Sequence, residues 1–341
     1  MSRQLASIQK IKDIQPIPGA DKIQVASVLG WKVVCRKDEF KIGDLAVYCE
    51  IDSLLPFQPW TEFLRDKNKP DKPIRLKTIQ LKKQLSQGIL FPISILPGSF
   101  ETYYEGMDVT EVLNIKKWEP EIPAQLAGIV EGPFPSYVPK TDESRIQAFP
   151  DLISEFRGKE IYISQKMDGT SGTFIFRDGE FKVCSRNLSL KESEGNSYWG
   201  MAKKYDIKAK LQAIFERTGK NYSGQGEVVG PGIQKNRIGL KEIDLMMFNV
   251  FDINDGRYLD YVDFIKFCEE NGFKTVPILG KEIFAFTSVD ELIERAKGKY
   301  ISGKHQEGIV IRPLINSYSE VLSGRASFKV INNDFLLEGG N

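Results

Sequence analysis

Histidine is nearly missing from this chain: 341 residues contain one, His305. That scarcity excludes a histidine-based triad or a histidine-ligated zinc centre as the organising chemistry. Cysteine is sparse too, with Cys35, Cys49, Cys184 and Cys268 widely scattered and no Cys-x-x-Cys pair. The four read as reduced, mostly buried thiols. No apolar run approaches the roughly 18 residues that cross a bilayer. The opening Met-Ser-Arg-Gln-Leu-Ala has no apolar signal core. The expectation is therefore a soluble, intracellular protein, cytoplasmic by default, with no membrane partner. Net charge is also lacking, since 47 basic residues oppose 46 acidic ones to leave +1. A polyanionic partner would have to be met by a local basic surface.

What is present fits an ordinary globular chain, 41% apolar and 27% charged, long enough for about two domains. From Leu5 to about Leu113 short alternating runs are broken by turns. Ile23 to Leu29 alternates, Gly30 interrupts, Trp31 to Cys35 continues, and Lys41-Ile42-Gly43-Asp44 turns into Leu45 to Ile51. This spacing predicts a small antiparallel β-barrel. The pattern Gly19-Ala20-Asp21-Lys22-Ile23 with Phe40-Lys41-Ile42-Gly43-Asp44 resembles tRNA-binding-type OB domains. Residues 65–84 are the most basic segment, readable as a nucleic-acid contact or as a solvated loop. Residues 119–140 hold Pro120, Pro123, Pro133, Pro135 and Pro139 and read as a linker. Beyond them strand-like runs at 160–165, 172–177, 180–185, 245–253, 308–313 and 326–331 mix with helix-like patterns at 200–217, 260–271 and 288–300. The expected organisation is an OB-like β-barrel over 1–118, a proline-rich linker over 119–140 and an α+β domain over 141–341.

The chemistry centres on Lys166-Met167-Asp168-Gly169, which follows the strand-like run Glu160 to Gln165. A lysine ending a strand can present an amine to an electrophile once its pKa is lowered. By composition, a Lys-x-Asp-Gly match arises in roughly one chain in ten of this length. Four more signals follow in order. Glu227 lies between Gly226 and Gly230, and Phe251 precedes Asp252 on an apolar run. Glu307 stands before Gly308-Ile309-Val310-Ile311-Arg312, and Lys329 lies within Ser327-Phe328-Lys329-Val330-Ile331. Taken singly, each has a plain structural role open to it. Glu227 and Glu307 could pair with any lysine, Phe251 could be core, and Lys329 could guard a sheet edge. Together they supply an amine, carboxylates for a divalent metal, a cation for phosphate and an aromatic face for a purine.

In that combination the chain resembles the covalent nucleotidyltransferase superfamily of polynucleotide ligases and capping guanylyltransferases. Its layout resembles the ATP-dependent RNA ligases in which an OB domain precedes the nucleotidyltransferase (adenylation) domain, which is ATP-grasp-like. Lys140 to Gln147, bearing Arg145, and Gly230 to Arg237 look typical of that group. The resemblance implies that Lys166 is the catalytic nucleophile, taking AMP from ATP. It implies that Asp168, Glu227 and Glu307 hold Mg or Mn, a cation that would also keep the lysine deprotonated. It places Arg145, Gln165, Gly169, Arg186, Glu227, Phe251 and Lys329 around the nucleotide, with Phe248 as the alternative stacking residue. Ser327 replaces the first lysine of the Lys-x-Lys pair that many ligases carry, and Arg325 is a candidate substitute. His305 is read as structural and not as a ligand. The implied substrate is RNA with 5′-phosphate and 3′-OH ends, such as a nicked duplex, acted on by a monomer. Lysyl-AMP is the implied intermediate. The little chain after Lys329 leaves the nucleic-acid clamp to the barrel. DNA ligase, capping guanylyltransferase and a non-catalytic RNA-binding protein remain the alternatives.

Overall fold

The computed structural model describes residues 4–66, 72–98, 102–119 and 128–339. The chain divides into two compact units, one of residues 1–121 with 147–150 and one of 122–146 with 151–341. Within the proline-rich stretch, residues 120–127 lie outside the described residues. Val130–Pro133 pairs with Leu188–Leu190, and Phe134 and Val138 are buried.

The first unit is built mainly of short strands, with helical turns at Pro59–Leu64 and Ile93–Ile95. Ala6–Lys10 and Ile89–Pro92 flank Leu45–Cys49, and Ile23–Val28 lies between Asp13–Pro16 and Trp31–Arg36. Strand alternation sends neighbouring side chains to opposite faces. Leu45–Cys49 uses both faces: Val47 and Cys49 pack with Ile8, Phe91 and Val109, while Ala46 and Tyr48 pack with Val28, Trp31 and Val33. The hairpin Thr78–Leu81 with Gln84–Gln87 turns through Lys82 and Lys83, both at positive φ.

The second unit is α+β and holds two sheets. The seven-stranded sheet runs Val130–Pro133, Leu188–Leu190, Glu180–Cys184, Thr170–Arg177, Tyr222–Val229, Asp244–Asp252, Arg257–Tyr258. The five-stranded sheet runs Ser144–Arg145, Phe328–Ile331, Gly308–Pro313, Glu160–Lys166, Ile278–Ile283. Helices Ser197–Lys204, Ile207–Thr218 and Tyr261–Glu270 cover one face of the larger sheet. There Phe174, Phe176, Val228, Leu245 and Met247 meet Met201, Leu211, Ile214 and Phe264. The helical pattern of 200–217 resolves into two helices because Asp206 takes a left-handed conformation, φ 49°. The opposite face of that sheet is more polar, carrying Ser171, Gln225, Glu227 and Asn249. Lys166 ends a strand of one sheet and Thr170 begins a strand of the other. The Lys-Met-Asp-Gly motif is therefore the crossing between the sheets.

Candidate active site

Lys166 is held from several sides. It pairs across the sheet with Gly308, and its Nζ lies 2.8 Å from Glu307 Oε1. The Tyr300 hydroxyl donates to the Lys166 carbonyl at 2.7 Å and accepts from the Glu307 N–H at 3.0 Å. The preceding residues are tied as well, Gln165 Nε2 donating to Gln306 Oε1 at 2.6 Å. Both motif glycines sit where no side chain fits. A Cβ on Gly169 would lie 2.4 Å from the Val228 carbonyl oxygen, and one on Gly308 would lie 2.1 Å from that of Val330. Gly308 moreover has φ 151°. These close approaches set Asp168 beside Glu227 and set Glu307 beside Lys166.

The electrostatics describe a resting site. Burial alone would lower the Lys166 pKa, but Glu307, Glu227 and Asp168 outweigh it and raise it, so the lysine is an ammonium. A deprotonated Lys166 therefore needs another cation among these carboxylates. Burial pushes Glu227 up to about 8, with Glu307 and Asp168 adding to the rise and Lys166 opposing it. Burial and Glu307 push Asp168 up to about 6, against Arg237 and Lys166. Three hard carboxylates thus crowd one another without enough positive charge, which is the donor chemistry Mg or Mn prefers. Among the described residues no group of three or more His, Cys, Asp or Glu is placed to hold a metal ion by itself. Mg characteristically takes one or two carboxylates, waters and substrate phosphates, so the residues fit a nucleotide-borne ion.

Opposite the carboxylates lies a run of cations. Lys329 faces Val310 in the strand pairing and lies in parallel register with Arg145. Burial, Arg145 and Lys166 together push its ammonium down to about 7. Arg186 pairs with Asp142, and Lys140 Nζ donates to Asn187 at 3.1 Å. Segment 140–145 is in this way fastened beside the basic run. Ser327, in the place of the missing lysine, is buried, and its hydroxyl accepts from Arg312 Nε at 2.9 Å. Arg312 also reaches Glu143 at 2.8 Å and the Phe248 carbonyl at 3.1 Å. Arg325, the candidate substitute for the missing lysine, is engaged by other groups. It donates to Asn316 and Asn249 and lies 3.8 Å from the Tyr258 ring centroid.

Phe251 lies in register with Ser223 on the strand pair that carries Glu227, packed with Val138, Ile175 and Cys184 and edge-on to Tyr258. Phe248 packs instead with Met167, Val276 and Tyr300. His305 lies 3.5 Å from Glu338. Sequence reasoning passed over Tyr300 and Gln306, which act through backbone groups and neighbouring side chains and have no motif, and it quoted Arg312 in the Glu307 run without giving it a role. It also passed over Arg237 as an individual residue, although the Gly230 to Arg237 segment drew notice.

A family model described as an OB-fold domain matches residues 5–93, and one described as RNA ligase matches residues 159–331. The two-domain α+β reading, OB-fold then adenylation domain, is borne out by these matches. Among solved structures, Naegleria gruberi RNA ligase with PPi is 33% identical at TM-score 0.87, covering 98% of each chain. A lysine-to-alanine mutant of that ligase with ATP and Mn is 32% identical at TM-score 0.87, covering 97% of this chain and 98% of its own. A glutamate-to-alanine mutant with AMP and Mn is 34% identical at TM-score 0.87, covering 98% of each. No curated protein sequence matches. Among the described residues no helix is long and apolar enough to cross a membrane.

Proposed function

The chain belongs to the RNA ligase family, and from that premise we propose that Lys166 is the nucleophile of an ATP-dependent RNA ligase. The observation that carries this reading is the Lys166–Glu307 contact of 2.8 Å at the crossing between the sheets, among three carboxylates. The metal-bearing relatives are in keeping with ATP and with Mg or Mn as the requirements.

In the first step the Lys166 ammonium loses its proton, for which Glu307 is the near acceptor. The Nζ lone pair forms the N–P bond to the α-phosphorus, and the bond to the β-phosphate oxygen breaks to release pyrophosphate. Lys329 and Arg145 sit where negative charge on the α-phosphate and its departing groups would build. In the second step an RNA 5′-phosphate oxygen attacks the same phosphorus, the N–P bond breaks and the lysine amine takes up a proton. In the third, the 3′-hydroxyl oxygen attacks the 5′-phosphate, loses its proton and expels AMP. A divalent ion held by Asp168, Glu227 and Glu307, partly through water, would supply Lewis-acid charge neutralisation. Phe251 is assigned the adenine face because its strand pair also carries Glu227, with Phe248 as the alternative. Gln165, Gly169 and Arg186 complete the nucleotide surroundings.

The RNA ends fall to the first unit. Residues 72–100 contain no Asp or Glu but hold Lys72, Arg75, Lys77, Lys82 and Lys83. The described part of the basic segment ends in the exposed hairpin turn Lys82–Lys83. A monomer closing a nick with RNA on the 3′-hydroxyl side is the substrate geometry proposed. The test is labelling with α-labelled ATP followed by sealing of nicked duplexes carrying RNA or DNA on each strand. Lys166→Ala should abolish labelling, and sealing should require RNA at the 3′-hydroxyl end. Labelling that survives Lys166→Ala removes the nucleophile. A GTP preference, or indifference to the sugar, moves the enzyme to another branch of the superfamily.

A further inference from the structure

Arg237 joins parts of the molecule that are far apart in sequence. Its side chain is almost fully buried. Its Nε lies 3.6 Å from Asp168 Oδ2, and its Nη1 lies 3.1 Å from Glu338 Oε2. Its Nη2 donates to the Glu338 carbonyl at 2.8 Å, and its guanidinium lies 4.9 Å from the Phe335 ring centroid. The Arg237 carbonyl accepts from the Ser302 hydroxyl. The loop before it is bound at the same places. Gln234 Nε2 donates to the Gly169 carbonyl at 3.2 Å, and Lys235 Nζ donates to the Gly339 carbonyl at 2.8 Å.

The far end of this connection returns to the other carboxylate. Helix Asn333–Leu337 is entered through Asn332, whose N–H donates to the Glu307 carbonyl at 2.9 Å. Asn332 Nδ2 donates to the Gln306 carbonyl at 3.1 Å. The contacts therefore close a ring: Asp168 to Arg237, Arg237 to Glu338, back along the helix to Asn332, and from there to Glu307, which holds Lys166. An arginine fork has a fixed planar geometry, so two carboxylates sharing it are held at a fixed relation.

We propose that Arg237 and Glu338 form a positioning pair, and that helix Asn333–Leu337 is a strap holding Asp168 and Glu307 at the spacing a nucleotide-borne divalent cation needs. This rests on the ligase reading above. Neither residue touches the reacting atoms. Asp168 faces Arg237 through Nε, while Nη1 is spent on the Glu338 carboxylate and Nη2 on its backbone carbonyl, so weakening the carboxylate contact loosens one arm of the fork and with it the hold on Asp168.

The test is a double-mutant cycle in the full chain, with Glu338→Gln, Arg237→Ala and the pair. The half-exposed Glu338 makes its variant a mild one for folding. Mn²⁺ binding in the presence of a non-hydrolysable ATP analogue is followed by electron paramagnetic resonance, alongside the Mn²⁺ dependence of lysyl-AMP formation. Glu338→Gln should weaken Mn²⁺ binding by about tenfold, the scale of outer-shell partners of metal ligands. The rate at saturating Mn²⁺ should be retained. In the Arg237→Ala background the same change should add nothing. Unchanged Mn²⁺ affinity in Glu338→Gln, or equal losses in both backgrounds, overturns the pair. If the unaltered chain formed no lysyl-AMP, the ligase reading itself would fall. Normal reaction of the unaltered chain with no response to Glu338→Gln removes only the strap.

Discussion

A lysine set beside other cations gives up its proton early, and Lys329 has two of them. Burial, Arg145 and Lys166 hold it at about 7, well below the ordinary lysine value of about 10.4. Between those two values the unfolded chain binds more protons here than the folded one. This group alone therefore makes the folded state more stable as pH rises through that window. A phosphate brought against Lys329 reverses the preference and favours the ammonium. Nucleotide binding at pH 8 should thus take up a proton, and affinity should weaken as pH rises past 7. Calorimetry of ATP-analogue binding in buffers of differing ionisation enthalpy measures the uptake, which Lys329→Met should remove. Lys166, Asp168, Glu227, Glu307 and Lys329 could be picked out in the sequence because amine, carboxylate and cation are each demanded by the reaction. Arg237 and Tyr300 could not. Their effect runs through a second residue or a backbone carbonyl, and many residue types can do such work.

At the scale of elements, the site is made by backbones that come unusually close. Gly308 puts Glu307 against Lys166 because no Cβ stands between its strand and the Val330 carbonyl. Gly308→Ala should therefore destabilise the fold by about 1–3 kcal/mol, the range for overpacking, measured by urea unfolding. It should slow lysyl-AMP formation by more than stability alone explains, since Glu307 moves with the strand. A change in stability with normal adenylation would show that the close approach serves packing alone. Such strands were readable from period-2 patterns, and runs 160–165 and 308–313 fall on strands Glu160–Lys166 and Gly308–Pro313. The edge strand Ile278–Ile283 was not, because Gly280, Lys281 and Glu282 break the apolar alternation and only one side of it is paired. The helical run 200–217 was legible as helix but not as two. The break at Asp206 is a backbone conformation that no periodicity announces.

For the whole molecule, the proposed function divides the chemistry from the grip on the substrate between the two units, and each has a separate readout. The groups proposed for adenylation, Lys166, the three carboxylates, Lys329 and Arg145, all lie within the second unit, 122–146 and 151–341. RNA attachment should draw on the first unit, where the acid-free stretch 73–100 contains the Lys82–Lys83 turn. Each phosphate contact releases bound counterions, so affinity for duplex falls with salt at a slope of about 0.9 per contact. Replacing Lys82 and Lys83 by alanine should leave lysyl-AMP formation unchanged and weaken binding of nicked RNA duplex. The slope of log affinity against log salt should shrink by up to about 1.8. Binding titrations between 50 and 200 mM salt, about the range over which such slopes are read, decide it. An unchanged slope would make this hairpin a solvated loop and move the search for the RNA grip to another surface. A shallower slope with intact adenylation would mean that the chain charges itself with AMP in one unit and holds the RNA end with the other.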